Sequence, residues 1–297
     1  WNLRKHDPVL KTIRILIPCL LMMCFISGSV TAQVQLHSSS VGDYQLYLPQ
    51  VPAKNILVVA HGMLGKNQQA AQQAKTYAER WIPYAEQHGL IIIAPVFDDE
   101  RFGNLSQGYG GYRNLFGKYI GADDFVNRLV AQYSRQTRSG SNQFYLYGHS
   151  AGGQFVARYS VTHPERIIQA VISAAGRYSY PDTSAAWPYG AGRLNKTINW
   201  DNGAVVRQER VSPQLINYAK AADKVQIVIG ALDTKAQDKR PAHIGRNRIE
   251  LANSWAASMN NLAHSYNMAG NIRVHQVAGV GHDSARLTTH AAYLLFN

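Results

Sequence analysis

Residues Gly148-His149-Ser150-Ala151-Gly152 lie between an apolar run, Gln143-Phe144-Tyr145-Leu146-Tyr147, and a helix-like run from Gly153 to Ser160. A Gly-x-Ser-x-Gly sequence in that setting requires a strand, a turn too tight for side chains at its flanks, and a helix starting at the turn. The serine then stands at a helix N-terminus, where free backbone N–H groups and the helix dipole favour negative charge. Few folds present a serine in this way.

The rest of the chain repeats the alternation of strand and helix. Tyr44-Gln45-Leu46-Tyr47-Leu48 alternates with period two and predicts an antiparallel edge strand. Ile56 to Ala60, Leu90 to Ala94, Ile167 to Ala174 and Val225 to Ile229 are continuous apolar runs, as buried parallel strands require. Ile272 to Val277 predicts the last strand. Helices are expected over residues 67–87 (ending at Gly89), from Ala122, after Ser150, from Ser212-Pro213, over 246–266 and over 285–296. Residues 96–119 read as a long loop, and residues 176–211 as an aromatic-rich insertion over the active-site edge. The strand-crossover-strand order predicts an α/β fold with a mostly parallel central sheet and helices on both faces.

Residues 1–32 stand apart from this pattern. Arg4, Lys5, Lys11 and Arg14 precede an apolar run from Ile15 to Ile26, and Val30-Thr31-Ala32 offers compact residues for cleavage. That is the layout of a secretory signal peptide, with an apolar run too short for a comfortable membrane span. Residues 33–297 are then one exported domain, secreted or periplasmic, without stable membrane insertion once the signal is removed. Both cysteines, Cys19 and Cys24, fall inside the leader, so the domain needs neither disulfides nor cysteine chemistry. The net charge is +12, of which residues 1–32 carry +3. The basic residues are scattered, with no Lys/Arg run or arginine-aromatic ladder, which argues against nucleic acid as the partner.

Ligands of such a sheet bind at the C-terminal ends of its strands. Besides Ser150, those ends carry Asp233, after the strand at 225–229, and His282, after the last strand. The order Ser150, Asp233, His282 is the one expected of a serine on this kind of elbow. A serine hydroxyl needs a base to become a nucleophile, and histidine can take that proton and return it to a leaving group. A carboxylate behind the histidine fixes its tautomer and stabilises the imidazolium. Asp283 is the rival acid, but it is adjacent to the histidine and poorly set to reach the ring. The His61-Gly62 turn after the strand at 56–60 nominates the backbone N–H of Met63, with that of Ala151, as oxyanion donors. No His-Glu-x-x-His, cysteine cluster or Walker-type loop is present, so no metal or other cofactor is expected.

Ser150 in Gly-His-Ser-Ala-Gly-Gly, the His61-Gly62 turn, Asp233 and the Gly-His282-Asp283 ending resemble the α/β-hydrolase superfamily over residues 41–297. The run Tyr47-Leu48-Pro49, the Ile56–Gly62 stretch and the elbow are most similar to the branch of polyhydroxybutyrate depolymerases and feruloyl-type esterases. Secreted members of that branch often carry cysteines, and residues 33–297 have none. The resemblance implies a serine esterase acting on a small or oligomeric ester through an acyl-enzyme. A polyester depolymerase, lipase, thioesterase or peptidase would use the same machinery, and a non-catalytic binding protein is the reading from outside enzymes. Tyr178, Tyr180, Trp187, Tyr189 and Trp200 in the insertion either wall the site or only pack the insertion onto the body. Phe97, Tyr109 and Tyr112 would form an opposite wall.

Overall fold

The computed structural model describes Trp1 and residues 33–200, 203–210, 213–236 and 244–297. The expected signal peptide, apart from Trp1, lies outside the described residues, as does Ser212. In chain order the first elements are β1 (Gln35–Ser38), β2 (Asp43–Tyr47), β3 (Asn55–Ala60), α1 (Ala70–Glu79), α2 (Ile82–His88) and β4 (Leu90–Pro95). They are followed by α3 (Asp99–Phe102), a 3-10 segment (Gln107–Asn114), α4 (Ala122–Ser134), β5 (Phe144–His149), α5 (Ala151–Thr162) and β6 (Ile167–Ser173). The remainder is β7 (Leu194–Asn199), β8 (Val205–Arg210), α6 (Leu215–Ala221), β9 (Val225–Gly230), α7 (Arg248–Ser265), β10 (Val274–Val277) and α8 (Ser284–Phe296).

Eight strands form one sheet in the order β1-β2-β4-β3-β5-β6-β9-β10. β1 and β2 run antiparallel at one side, and every pairing from β4 to β10 is parallel. Side chains alternate between two cores, as the pleat requires. Ile56, Val58, Ile91, Ile93 and Leu146 join Phe125, Leu129, Phe155, Tyr159 and Trp255 of α4, α5 and α7. Leu57, Val59, Ile92 and Tyr147 join Ala74, Trp81, Ala85, Leu287 and Leu295 of the α1–α2 and α8 side. Continuous apolar runs were needed because both faces of β3, β4 and β5 are covered.

Four expectations need correction. β2 is not the edge strand: β1 pairs outside it after a turn in which Ser39 Oγ donates to Gly42 O. β1 was missed because its exposed positions leave little apolar signal. The helix over 67–87 is two helices broken at Arg80 and Trp81, because Pro83 has no N–H to continue the ladder. The 96–119 loop holds α3 and the 3-10 segment, both too short to show a helical period. The helix expected to open at Ser212-Pro213 instead begins at Leu215, with Gln214 at the N-cap. The 176–211 insertion contains the β7–β8 hairpin, a two-stranded sheet of its own.

Candidate active site

The elbow forms where β5 meets α5. Ser150 has φ 57° and ψ −110°, a strained conformation for a residue with a side chain. Backbone crowding holds the turn in place. A Cβ on Gly148 would come within 2.4 Å of Gly152 O, and one on Gly152 within 2.2 Å of Ala60 O. The Ser150 N–H donates to Ser173 O at 2.8 Å, which ties the turn to β6.

Three strand ends converge on Ser150. His282 Nε2 lies 3.0 Å from Ser150 Oγ, and His282 Nδ1 lies 2.7 Å from Asp233 Oδ2. With the carboxylate accepting from Nδ1–H, Nε2 is the acceptor for the serine proton. Asp283 does not approach the ring; its Oδ1 caps α8, accepting from the N–H groups of Ala285 and Arg286.

Arg248, at the start of α7, was not foreseen. Its guanidinium donates to Asp233 Oδ1 at 2.8 Å, leaving Oδ2 to His282. Burial opposes the charge on Asp233, but His282 and Arg248 outweigh it and lower the pKa of its carboxyl. Fifteen residues separate Asp233 from Arg248, and no local pattern links them. His149, the variable residue of the elbow, has its ring 4.6 Å from that of His282 and its Nδ1 2.9 Å from Ser173 Oγ. Burial and the neighbouring His282 push its pKa well below the ordinary value, so it packs beside the His282 ring as a neutral group.

The His61-Gly62 turn abuts the elbow: a Cβ on Gly62 would stand 3.8 Å from that of Ser150. His61 is fully buried. Its Nε2 accepts from Phe97 N–H at 3.1 Å, so Nδ1 carries the proton and donates to Gly62 O at 2.7 Å. Tyr112 Oη donates to the same carbonyl at 3.1 Å. In the trans peptide the Met63 N–H then points, within the peptide plane, the opposite way from this clamped carbonyl. Burial lowers the His61 pKa to about 4, which keeps the ring neutral and this tautomer available. Met63 itself is exposed, and Ala151 opens α5.

Most of the expected aromatic wall lies elsewhere. Phe97, Tyr178 and Trp187 are buried. Phe97 packs among His61, Phe102, Tyr112 and Phe155. Tyr178 stacks on Trp255, and the Trp187 indole donates to Asn114 O. Partly buried Tyr180 donates to Leu251 O, and Trp200 is buried against Gly108. These rings pack the insertion onto the body, because burying large apolar rings stabilises more than exposing them. Tyr189 is the exposed one; it borders a cavity beside α5 with Tyr109. Among the described residues no cluster of His, Cys, Asp or Glu could hold a metal ion, and no helix is long and apolar enough to cross a membrane.

Comparison with known proteins agrees with this architecture. Solved structures with the same fold include a poly(3-hydroxybutyrate) depolymerase from Bordetella parapertussis, 24% identical, with a TM-score of 0.67 over 86% of this chain and 83% of that one. A poly(aspartic acid) hydrolase from Sphingomonas sp. KT-1 is 22% identical, with a TM-score of 0.69 over 90% of this chain and 98% of that one. An acetyl xylan esterase from Aspergillus awamori is more distant, 14% identical with a TM-score of 0.52, covering 88% of this chain and 99% of that one. No curated protein matches the sequence significantly. The family model described as "alpha/beta hydrolase fold" matches residues 56–265, so with its elbow and strand order this chain belongs to the α/β-hydrolase fold family.

Proposed function

We propose that this chain is an exported serine hydrolase that cleaves carboxylic esters through an acyl-enzyme. The observation that carries the reading is His282, which bridges Ser150 Oγ at 3.0 Å and Asp233 at 2.7 Å. Ser150 Oγ attacks the ester carbonyl carbon while its proton passes to His282 Nε2. The carbonyl π pair moves to oxygen, and the N–H groups of Met63 and Ala151 receive that oxyanion. As the intermediate collapses, the C–O bond to the alcohol breaks and Nε2–H protonates the departing oxygen. Water then repeats the sequence: it loses a proton to Nε2, attacks the acyl carbon and releases the acid, and Ser150 recovers its proton. Asp233 holds the imidazole throughout.

Purified protein is expected to hydrolyse p-nitrophenyl acetate and to be labelled at Ser150 by a fluorophosphonate. Ser150→Ala is expected to abolish labelling and lower kcat by about 10^6-fold, leaving only what the oxyanion donors and binding supply. Labelling elsewhere, or none with a folded protein, would exclude the reading. For export, N-terminal sequencing of the protein recovered outside the cytoplasm is expected to start at Gln33.

A further inference from the structure

A second polar constellation lies one to two turns along α5 from Ser150. Arg113, Arg158 and Arg177 line a cavity of about 120 Å³ together with Leu105, Tyr109, Asn114, Gln154 and Tyr189. Three guanidinium groups border it, and among the described residues no carboxylate does. Arg113 is the most informative of them. It is 3% exposed, its Nε donates to Gly110 O, and its buried Nη2 has no hydrogen-bond partner among the described residues. Burial lowers its pKa and the nearby charge of Arg177 adds to the effect. Among the described residues Asp99 is the one carboxylate that acts on it, and its contribution is the smallest. A buried guanidinium with an unused N–H is costly unless an anion completes it.

The other arginines are held in position. Arg158 donates to Pro188 O, Arg113 O and Gln154 O, and Arg177 donates to Tyr189 Oη. Arg113 also follows Tyr112, whose hydroxyl grips the Gly62 carbonyl, so one loop serves both the cavity and the oxyanion turn. Gln154, which lines the cavity, sits one helical turn from the nucleophile, its N–H donating to Ser150 O. At 1.5 Å rise per residue, Gln154 lies ~6 Å and Arg158 ~12 Å along the axis from Ser150.

Resting on the serine-hydrolase reading, we propose that the preferred substrates are esters bearing a carboxylate about 6 to 12 Å from the scissile carbonyl, held in the Arg113–Arg158–Arg177 cavity. A guanidinium fork matches a carboxylate edge, and a flat, singly charged group asks less of this small cavity than a doubly charged phosphate does. An extended chain advances ~1.2 Å per bond, so a C6 dicarboxylic half-ester reaches the near end of that span. A neutral diester of the same length offers the Arg113 Nη2 only an uncharged carbonyl acceptor, and the missing charge and second oxygen are the source of selectivity.

The test separates the cavity from the chemistry. Calorimetry on Ser150→Ala is expected to show monomethyl adipate binding at least about tenfold more tightly than dimethyl adipate. The preference should weaken with added NaCl. In that background Arg113→Met, and the milder Arg177→Gln at a partly exposed position, should each remove most of the preference. In active enzyme the same two substitutions should lower the ratio of kcat/KM for the half-ester over the diester. Equal affinity for the two esters, a preference that survives both substitutions in folded protein, or inorganic phosphate binding more tightly than the half-ester would each overturn the proposal. Labelling of Ser150 and hydrolysis of neutral esters without a carboxylate preference would leave the serine-hydrolase reading intact and remove the cavity's role. A carboxylate preference in binding without Ser150 labelling would do the reverse.

Discussion

Asp233 serves two partners with two oxygens, and this separates it from Asp283. The sequence favoured Asp233 because it follows a strand end, whereas an acid adjacent to His282 has no room to bend back. Asp233 reaches the His282 ring, and Asp283 reaches the N–H groups of α8. Asp233→Asn is therefore expected to lower kcat by ~10^3- to 10^4-fold, because the amide favours the wrong His282 tautomer. Arg248→Met removes the bond at Oδ1 and frees the carboxylate to rotate. It should lower kcat ~10- to 100-fold through misplacement of His282, with little change in KM for a small ester. Kinetics on p-nitrophenyl acetate checks both, and an Arg248→Met enzyme with wild-type kcat would remove Arg248 from a positioning role. The aromatic residues were less legible. An aromatic side chain in a loop reads the same in sequence whether it faces a substrate or a core. Phe97, Tyr178 and Trp187 went inward because the body offered Phe155, Trp255 and the Asn114 carbonyl as partners.

At the scale of elements, the tightest constraint is the meeting of β3, β5 and α5. Gly152 passes so close to Ala60 O that a methyl group there has nowhere to go. Gly152→Ala is expected to destroy cooperative folding, measurable by circular dichroism and by loss of soluble protein. Asp283→Ala removes the N-cap of α8, whose buried Leu287, Ala291 and Leu295 join the core around Trp81. That substitution should cost about 1 kcal/mol in urea unfolding. Loss of kcat in Asp283→Ala with full activity kept in Asp233→Asn would reverse the assignment of the acid. Elements with a strong period or an unbroken apolar run were legible within a few residues, as α4, β3, β4, β5 and β9 illustrate. β1, α3 and the α1–α2 break were not, since a four-residue segment shows no period and a proline's effect depends on where the flanking turns pack.

The whole molecule stakes stability on buried neutral histidines. Burial lowers the His61 pKa from 6.5 to about 4. Between those values the unfolded chain holds the proton and the folded chain refuses it. The stabilisation is therefore full above about pH 6.5 and is lost as pH falls through 4, amounting to about 3 kcal/mol. His149 acts in the same direction. Asp233 extends the loss to lower pH, since a depressed carboxylate stabilises above its ordinary range and ceases to do so as pH falls through its folded value. Urea midpoints should drop steeply from pH 7 to pH 4, and less steeply in His61→Gln. A wild-type midpoint unchanged over that range would contradict the neutral, buried His61. The sequence by itself determined the alternation of the long helices with the strands β2 to β6, β9 and β10, the elbow at Ser150, and the strand ends that carry Asp233 and His282. Those features follow from local spacing and residue type, which each segment expresses alone. Only the tertiary structure decided that Arg248 braces Asp233, that His61 and Tyr112 clamp one peptide, which rings lie inside, and that three arginines line one cavity. Those depend on contacts between residues far apart in the chain, where burial and charge are set by neighbours that no local pattern names.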